Sequence, residues 1–408
     1  MDKNKAPDSL AGTEPWHYRS GPLSAGLLIT LLALIIYLPV VNAPFVLDDE
    51  VNIIKNTRLH DFSAFWPPLG SRHLAYLTFA VNYSLGGLKT AGYHIVNIII
   101  HILTAMTLYG LVRTLFSTPA LIGRDTGGGG RAAGSASGLA NHIAFITALL
   151  FTAHPINTQA VIYTTQRFTI MASLFYLLSL YLYLKWRMAG KGALPAFCYV
   201  LSIISALAAS KSKEISFTLP VVILLAEYLF FTEPGRWVSR RRLYPLLPYA
   251  IVLIIIPLSI LGPELGLWGL QQVVDDGFTR VQQVMDIKEL SSYSYLMTEF
   301  TVVPKYIRLF FLPVWQNLDY DYPLYHSFLS LRVMAGFCFL LILFVFALLS
   351  ASFARRENKP LLLLAAAGLL WFFITLSVES TVIPIRDVIF EHRMYLPGAG
   401  LSAGVAAT

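Results

Sequence analysis

Long apolar stretches recur along the whole chain, and their length constrains the fold more than any other feature. The core of a bilayer is about 30 Å thick, so a helix needs about 20 apolar residues to cross it. Hydrophobic residues make up 56% of the 408 residues and charged residues only 13%, which is too apolar for a soluble domain. Membrane spans are predicted at 22–42, 92–116, 139–153, 168–186, 194–210, 215–232, 244–262, 331–353 and 360–378, with the beginning of another at 397–408.

A backbone that crosses lipid must satisfy its own hydrogen bonds, which favours helices. The sequence therefore predicts an all-α polytopic membrane protein with about 9–10 transmembrane helices. Two external stretches rich in aromatic residues, 75–83 and 306–313, are predicted to be helices that lie along the membrane interface.

Basic residues in the short loops indicate the orientation, because cytoplasmic loops carry an excess of Lys and Arg. Residues 1–21 are predicted to be a cytoplasmic tail, and 22–408 one membrane domain. Its long external loops are 43–91 and 263–330, and the glycine-rich segment 117–138 is predicted to be a flexible cytoplasmic loop. The formal charge of +7 follows from this topology, so no nucleic-acid partner is implied. The cations on the cytoplasmic side are Lys3, Lys5, Arg19, Arg124, Arg131, Lys185, Arg187, Lys191, Arg236, Arg240, Arg241, Arg242, Arg355, Arg356 and Lys359.

An acidic run, Asp48, Asp49 and Glu50, follows the first span. Charges of this kind cost several kcal/mol in lipid, so the run is expected at the external surface. A membrane enzyme with a lipid-linked substrate would keep its base there.

Further polar residues stand at the external ends of other spans, namely His154, Arg167, Lys213, Glu214, Glu391, His392 and Arg393. Together they could supply a carboxylate base and a cluster of cations, which suit the deprotonation of a hydroxyl and the departure of a phosphate. The alternative is that each charge only reaches for the interface at a helix end. Charges of both signs collected on one face favour a functional site.

The order of these motifs resembles the membrane region of the TMTC-type protein O-mannosyltransferases and their bacterial relatives, in the GT-C superfamily. The likeness covers about residues 40 to 400. It rests on Asp48-Asp49, 72–83, Gly92-Tyr93-His94 with Asn97 and His101, 154–167, Ser212-Lys213-Glu214, 318–322 and 391–397.

The resemblance implies a GT-C-like helical bundle and an inverting transfer of a sugar, mannose or another hexose. The sugar would move from a polyprenyl-phosphate donor to an acceptor hydroxyl, such as Ser or Thr of a protein, on the external face. Asp48 and Asp49 would be the catalytic carboxylates, and the donor phosphate would be bound by Arg72, Lys213, His392 and Arg393. Supporting roles would fall to Glu50, His154, Arg167, Glu214, Asp319, Asp321 and Glu391.

Several points stay open at this stage. Members of the family continue into tetratricopeptide repeats, whereas this chain ends at Thr408, so a shortened chain is expected. No cofactor is firmly implied; Asp319 and Asp321 could bind a divalent ion with Asp48 or flank tyrosines that stack on a sugar. His94, Asn97 and His101 share one helical face and are expected to bond to a neighbouring helix rather than to bind a metal.

The expected partners are a polyprenyl-phosphate-linked sugar, an acceptor protein or lipid, and the membrane lipids themselves. The expected location is a bacterial inner membrane, with the site facing the periplasm. Transfer to a lipid or glycan acceptor is an alternative within the same chemistry. A lipid or solute transporter is the alternative from another class, but the sequence lacks the internal repeat typical of transporters.

Overall fold

A computed structural model describes residues 21–66, 72–122, 131–261, 291–381, 383–385 and 387–408, with side chains omitted at 131–137 and 259–261. Residues 1–20 of the predicted N-terminal tail, part of the glycine-rich loop and all of 263–290 lie outside the described residues. The main helices are α1 (Pro22–Tyr37), α2 (His73–Gly86), α3 (Thr90–Leu115), α4 (Arg131–Ala153), α5 (Arg167–Met188), α6 (Ala193–Ser210), α7 (Leu219–Ala226), α8 (Leu247–Leu261), α9 (Ser292–Phe311), α10 (Leu331–Arg356), α11 (Pro360–Leu376) and α12 (Tyr395–Ala406).

Each of the predicted spans coincides with a helix, and the described residues contain no strand. Among these residues, seven helices are long and apolar enough to cross a membrane, and a bent pair, Gly138–Ala153 with Pro155–Ile162, would make an eighth. The all-α polytopic prediction is therefore confirmed. The two shorter helices α11 and α12 account for the larger number of spans predicted from the sequence.

Two predicted loops contain more helix than expected. Helix α4 begins at Arg131, inside the segment 117–138 that was predicted to be flexible. Helix α9 begins at Ser292, so the predicted interfacial helix at 306–313 is the last part of a longer element. The predicted interfacial helix at 75–83 lies within α2.

Helix α12 lies in the middle of the bundle, where it packs against α4, α5 and α11. Small residues permit its close approach to α11. A Cβ added to Gly368 would lie 2.2 Å from the carbonyl oxygen of Gly400, and one added to Gly400 would lie 2.4 Å from Trp371 Cδ1. Helices in membranes often associate through such small residues, because backbones can then come into contact.

Polar contacts collect at the two ends of the bundle. At one end, here called the site end, the loops around 43–66, 154–166, 211–213, 312–330 and 377–394 meet. At the opposite end, Arg187 contacts Glu227, while Arg242 and Arg355 both donate to Thr232. The loops that were predicted to share a face are thus neighbours, and which end faces outward stays a prediction.

Candidate active site

One short segment holds the site end together. It runs from His154 to Thr169 and is called the break segment, because α4 ends at Ala153 and the next helix is bent away by 53°. Pro155 follows His154 directly and has no backbone N–H to continue α4, which explains the break. The irregular backbone then presents polar groups to every loop of the site end.

Asp48 and Asp49 differ in burial. Asp49 is 1% exposed; its Oδ1 accepts from the Thr165 backbone N–H at 2.7 Å and from the Thr165 hydroxyl, and its Oδ2 accepts from the Val46 N–H at 3.1 Å. Burial raises the pKa of Asp49, and the bonds from Thr165 and Val46 offset part of that rise. Asp48 is exposed, and its backbone N–H donates to the Tyr163 hydroxyl at 2.8 Å. Asp49 therefore anchors the loop, while the carboxylate of Asp48 is accessible.

The turn that carries the two aspartates is strained. Leu47 has a φ of +46°, in the left-handed region that residues other than glycine seldom adopt. Such a conformation costs about 1–3 kcal/mol and persists only where the surroundings enforce it. The bonds of Asp49 to the break segment supply that enforcement, so the position of Asp48 is fixed by its neighbour.

Arg167 is a fully buried hub at the start of α5. Its guanidinium donates to Asn97 Oδ1 at 2.8 Å, to Asn82 Oδ1 at 2.6 Å and to the Tyr93 carbonyl at 2.9 Å. It also lies over the ring of Phe79, 4.5 Å from the centroid. With the Thr78 hydroxyl at 3.3 Å, these partners occupy four of its five N–H donors, so Arg167 joins α2, α3 and α5 rather than facing a ligand.

Two ion pairs stand on the other side of the break segment. Arg72 contacts Glu214 at 3.3 Å and lies over Phe168 at 5.0 Å, and its side chain is 38% exposed. Lys213 contacts Glu379 at 2.6 Å and donates to the Thr169 hydroxyl at 3.0 Å. Burial lowers the pKa of Lys213, although Glu379 offsets part of the effect.

Arg393 is buried and faces the protein. It donates to the carbonyl oxygens of Val388 at 3.0 Å and of Asp387 at 2.5 Å, and to the Tyr295 hydroxyl at 3.3 Å. Its nearest carboxylate is that of Glu299, at 3.9 Å. Arg393 was predicted to bind the donor phosphate, but the structure uses it to hold the chain that leads into α12.

Glu299 has an unusual environment for a carboxylate. It is 1% exposed, and neither of its oxygens makes a hydrogen bond of good geometry. Burial raises its pKa to about 7, against the opposing influence of Arg393 and of the nearby hydroxyls of Ser380 and Tyr295. It lines a cavity of about 270 Å³ between α9, α10 and α11, together with Ser380, whose buried hydroxyl also makes no hydrogen bond of good geometry. The rest of the lining is mostly apolar, with four phenylalanines: Phe300, Phe337, Phe344 and Phe373.

His392 and Glu391 connect the last loop to the break segment. The His392 N–H donates to Gln159 Oε1 at 2.7 Å, and its Nδ1 lies 3.1 Å from the same oxygen. Burial lowers the pKa of His392 well below its usual value, and the nearby cations Lys213, Arg393 and Arg72 lower it further. Burial thus disfavours the charged ring, and the role of His392 at the donor phosphate stays a prediction.

Glu391 holds the loop that follows α9. Its oxygens accept from the Asn317 N–H at 2.9 Å, from Gln316 Nε2 at 2.5 Å and from the Tyr320 hydroxyl. His154 contacts the last turn of α9, just before that loop, because its Nε2 lies 2.7 Å from the Phe310 carbonyl and its ring stacks on Phe310. These contacts are compatible with the supporting roles predicted for both residues, which stay a prediction.

Asp319 and Asp321 are exposed on that loop. The tyrosines between and after them make protein contacts: Tyr320 lies against Lys305 and Tyr322 donates to Thr301. Across the part of the chain that the structure describes, no group of three or more His, Cys, Asp or Glu could hold a metal ion.

The expected helix contacts are confirmed for Asn97 and His101, whereas His94 contacts the loop after α1. His94 Nε2 lies 3.0 Å from the Ala43 carbonyl, and the amide of Asn97 donates to the Val161 carbonyl at 3.2 Å. His101 Nδ1 lies 2.7 Å from the Tyr395 hydroxyl. Glu50 was predicted to support the site, but it is exposed and pairs with exposed Lys55 at 2.7 Å.

Sequence reasoning missed Glu299, Glu379 and the anchoring role of Thr165. Glu379 is an acid just after α11, a signal that could have found it. Glu299 sits in a helix with Lys305 and Arg308, where nothing in the sequence separates a buried acid from an exposed one. Only the packing of α9 against α10 shows the difference.

Comparison with curated proteins finds relatives described as protein O-mannosyl-transferases. TMTC2 of Mus musculus is 36% identical over 177 residues, covering 40% of this chain and 18% of the relative. TMTC3 of Mus musculus is 25% identical over 399 residues, covering 89% of this chain and 40% of the relative. The protein F38B6.6 of Caenorhabditis elegans is 24% identical over 395 residues, covering 92% of this chain and 49% of the relative.

The chain thus spans about half, or less, of the length of these relatives. No family model and no solved structure matches it. The similarity to the TMTC-type protein O-mannosyltransferases that the ordered motifs predicted is confirmed by these relatives.

Proposed function

We propose that this integral membrane protein is a GT-C-type glycosyltransferase that moves a hexose from a polyprenyl phosphate to a protein hydroxyl. The carrying observation is that the break segment joins an accessible carboxylate, Asp48, to the cations Arg72 and Lys213 within a few residues of chain. The site would face outward, towards the periplasm if the membrane is a bacterial inner membrane. The relatives named as protein O-mannosyl-transferases support a protein acceptor.

Asp48 is the proposed base. The acceptor hydroxyl would lose its proton to Asp48 while its oxygen forms the new bond to the anomeric carbon. The bond from that carbon to the phosphate oxygen breaks, and the electron pair leaves with the polyprenyl phosphate. A single displacement of this kind inverts the anomeric centre. Asp49 is the positioning residue, since its bonds to Thr165 and Val46 fix the turn.

Arg72 is the proposed contact for the donor phosphate. Its single bond to Glu214 leaves further guanidinium donors, and its exposure leaves room for a phosphate. A guanidinium can bind phosphate through two parallel bonds, and the leaving phosphate gains charge in the transition state. Lys213 would add positive charge from its pair with Glu379. Arg393 acts at a distance, by holding the loop before α12.

The cavity beside Glu299 is the proposed location for the first isoprene units of the donor. Its volume of about 270 Å³ and its phenylalanine lining suit an apolar chain. A neutral form of Glu299, favoured by burial, would avoid an unpaired charge beside that chain.

Transfer of labelled sugar from a polyprenyl-phosphate donor to membrane proteins tests the proposal. Asp48→Asn should reduce transfer by about 10²–10⁴-fold, the usual contribution of a general base, with thermal stability unchanged. Asp49→Asn should lower both stability and transfer, because its buried bonds position the turn. Asp61→Asn, an exposed aspartate in the same loop, is the matched control and should keep full activity. Full activity in Asp48→Asn would overturn the assignment, and label found in lipid alone would change the acceptor.

Donor titration separates the phosphate contact from the base. Arg72→Gln should raise the apparent KM for the donor and lower kcat, by about tenfold or more together, because a charge-assisted bond contributes about 1.5–3 kcal/mol. Arg72→Lys should recover part of the activity, since it restores charge without the fork. An unchanged KM and kcat in Arg72→Gln would remove Arg72 from the site.

A further inference from the structure

A second cavity lies at the opposite end of the bundle, far along α5 from the break segment. Its volume is about 580 Å³. It is lined by the end of α5, the turn 189–192, the start of α6 and residues 241–245, and it is open to the surroundings. Its described lining contains four cations and no acidic residue; the cations are Arg187, Lys191, Arg241 and Arg242.

These cations are only partly neutralised. Arg187 pairs with Glu227 at 2.6 Å, behind the lining. Arg242 donates to the Phe231 carbonyl at 2.6 Å through one nitrogen, which leaves other donors. Lys191 and Arg241 are exposed. The cavity therefore keeps a surplus of positive charge after its one ion pair is counted.

The first turn of α6 adds to this potential. Gly192 precedes the helix, no side chain caps the free N–H groups, and no acidic residue lies in the first turn. The start of a helix carries partial positive charge that favours anions. Together with the cations, it makes this open cavity complementary to a phosphate group.

The surroundings of the cavity indicate where that phosphate comes from. Side chains next to its lining residues are apolar and largely exposed: Leu194, Phe197, Tyr244 and Leu247. They belong to the ends of α6 and α8, two helices that the rest of the bundle leaves mostly uncovered. Within a membrane, these side chains would face acyl chains at the level where headgroups begin.

We infer that this cavity binds the phosphodiester headgroup of an anionic phospholipid. Basic pockets between membrane helices are suited to such headgroups, with the acyl chains packed on the adjacent apolar surface. The inference does not depend on the glycosyltransferase proposal, because none of these residues lies at the site end.

Simple sorting of basic residues to one membrane face also places cations here. The same end offers a direct comparison in Arg356 and Lys359, which are exposed at the end of α10 and outside the cavity. If surface charge alone attracts the lipid, removal of Arg356 and Lys359 should weaken lipid binding as much as removal of the cavity residues Lys191 and Arg241. If the cavity binds the headgroup, only the second change should weaken it.

Lipid-dependent thermal stabilisation of the purified full chain in detergent tests the inference. Short-chain phosphatidylglycerol should raise the Tm of the wild type, whereas phosphatidylcholine of equal chain length and free inorganic phosphate should not. In Lys191→Gln/Arg241→Gln, the phosphatidylglycerol concentration for half-maximal stabilisation should rise at least about tenfold, given the contribution of each cation to anionic lipid binding. The control Arg356→Gln/Lys359→Gln removes the same charge and should respond like the wild type.

Three results would overturn the inference. The control pair could lose the effect as fully as the cavity pair, which would mean general surface charge. Phosphatidylcholine could stabilise equally, which would mean a lipid effect without headgroup selectivity. Inorganic phosphate could stabilise equally, which would assign the cavity to a soluble anion.

Discussion

The two ends of the bundle each bury a glutamate, and the surroundings of the two residues differ. At the opposite end, Glu227 accepts from Arg187 at 2.6 Å and from the Tyr183 hydroxyl at 2.9 Å. At the site end, Glu299 makes no hydrogen bond of good geometry, and Arg393 approaches only to 3.9 Å. A buried carboxylate with close partners fits a structural role, whereas a buried carboxyl group that lacks well-formed hydrogen bonds beside a cavity costs free energy that packing alone does not explain.

The difference extends beyond the two glutamates. The site end buries Lys213, His392 and Arg393 among protein groups, and so fixes their positions before any ligand arrives. The opposite end leaves Lys191 and Arg241 exposed around an open cavity. We interpret the first arrangement as suited to chemistry and the second as suited to membrane attachment.

The largest expected effect comes from breaking the ion pair between Arg187 and Glu227, which lie 2.6 Å apart. Arg187→Met would leave Glu227, which is 0% exposed, without its cation. Loss of one partner from a buried ion pair typically costs about 3–5 kcal/mol. We expect a loss of that order in the free energy of unfolding, measured by denaturant titration in detergent. Arg241→Met, at the same end but exposed, is the control and should stay within about 0.5 kcal/mol of the wild type. Equal losses in the two variants would remove the structural role of Glu227.

A pH titration tests the other glutamate. Because the pKa of Glu299 is raised from 4.5 to about 7 by burial, its protonated form stabilises the folded state below about pH 4.5. That contribution to the free energy of unfolding is lost as the pH rises through about 7, and it amounts to on the order of 3 kcal/mol.

The variant Glu299→Gln keeps the shape of the protonated acid and cannot ionise. It should match the wild type near pH 4.5 and be more stable than the wild type above the folded pKa of about 7. Glu227→Gln should show no such gain, since it weakens a formed ion pair. Identical pH profiles for the wild type and Glu299→Gln would contradict the environment described for this residue.

The smallest effect is expected where the two ends are alike. Each carries an exposed ion pair, Glu50 with Lys55 at the site end and Glu233 with Arg236 at the other. Exposed pairs are screened by water and contribute little. Glu50→Gln and Glu233→Gln should both leave Tm and sugar transfer at wild-type levels. A clear loss of sugar transfer in Glu50→Gln, with none in Glu233→Gln, would show that Glu50 contributes to the active site.

Much of the fold and part of the site could be predicted. The apolar stretches predicted every span, and Pro155 after His154 marked the break between helices. The sequence also predicted that one end of the bundle holds Arg72, Lys213, Glu214 and Glu391. Charged residues avoid lipid and therefore collect where helices end.

The separate roles of neighbouring residues could not be predicted. Asp48 and Asp49 are equivalent in the sequence, and only the packing of the loop on Thr165 buries one and exposes the other. Arg167 and Arg72 likewise cannot be distinguished in the sequence, yet the guanidinium of Arg167 donates to Asn82 and Asn97 inside the protein.

The sequence alone determined that the chain spans a membrane, that its spans are helices and that charged residues collect at the helix ends. These properties depend on residue type, because the free energy of transfer between water and lipid differs for apolar and charged groups. The tertiary structure decided which charges are paired, which are buried and which cavity each one lines. Those properties depend on contacts between distant segments, such as Glu379 with Lys213 and Glu299 with Arg393. Hydrogen bonds act over about 3 Å, so they are defined only after the helices have packed.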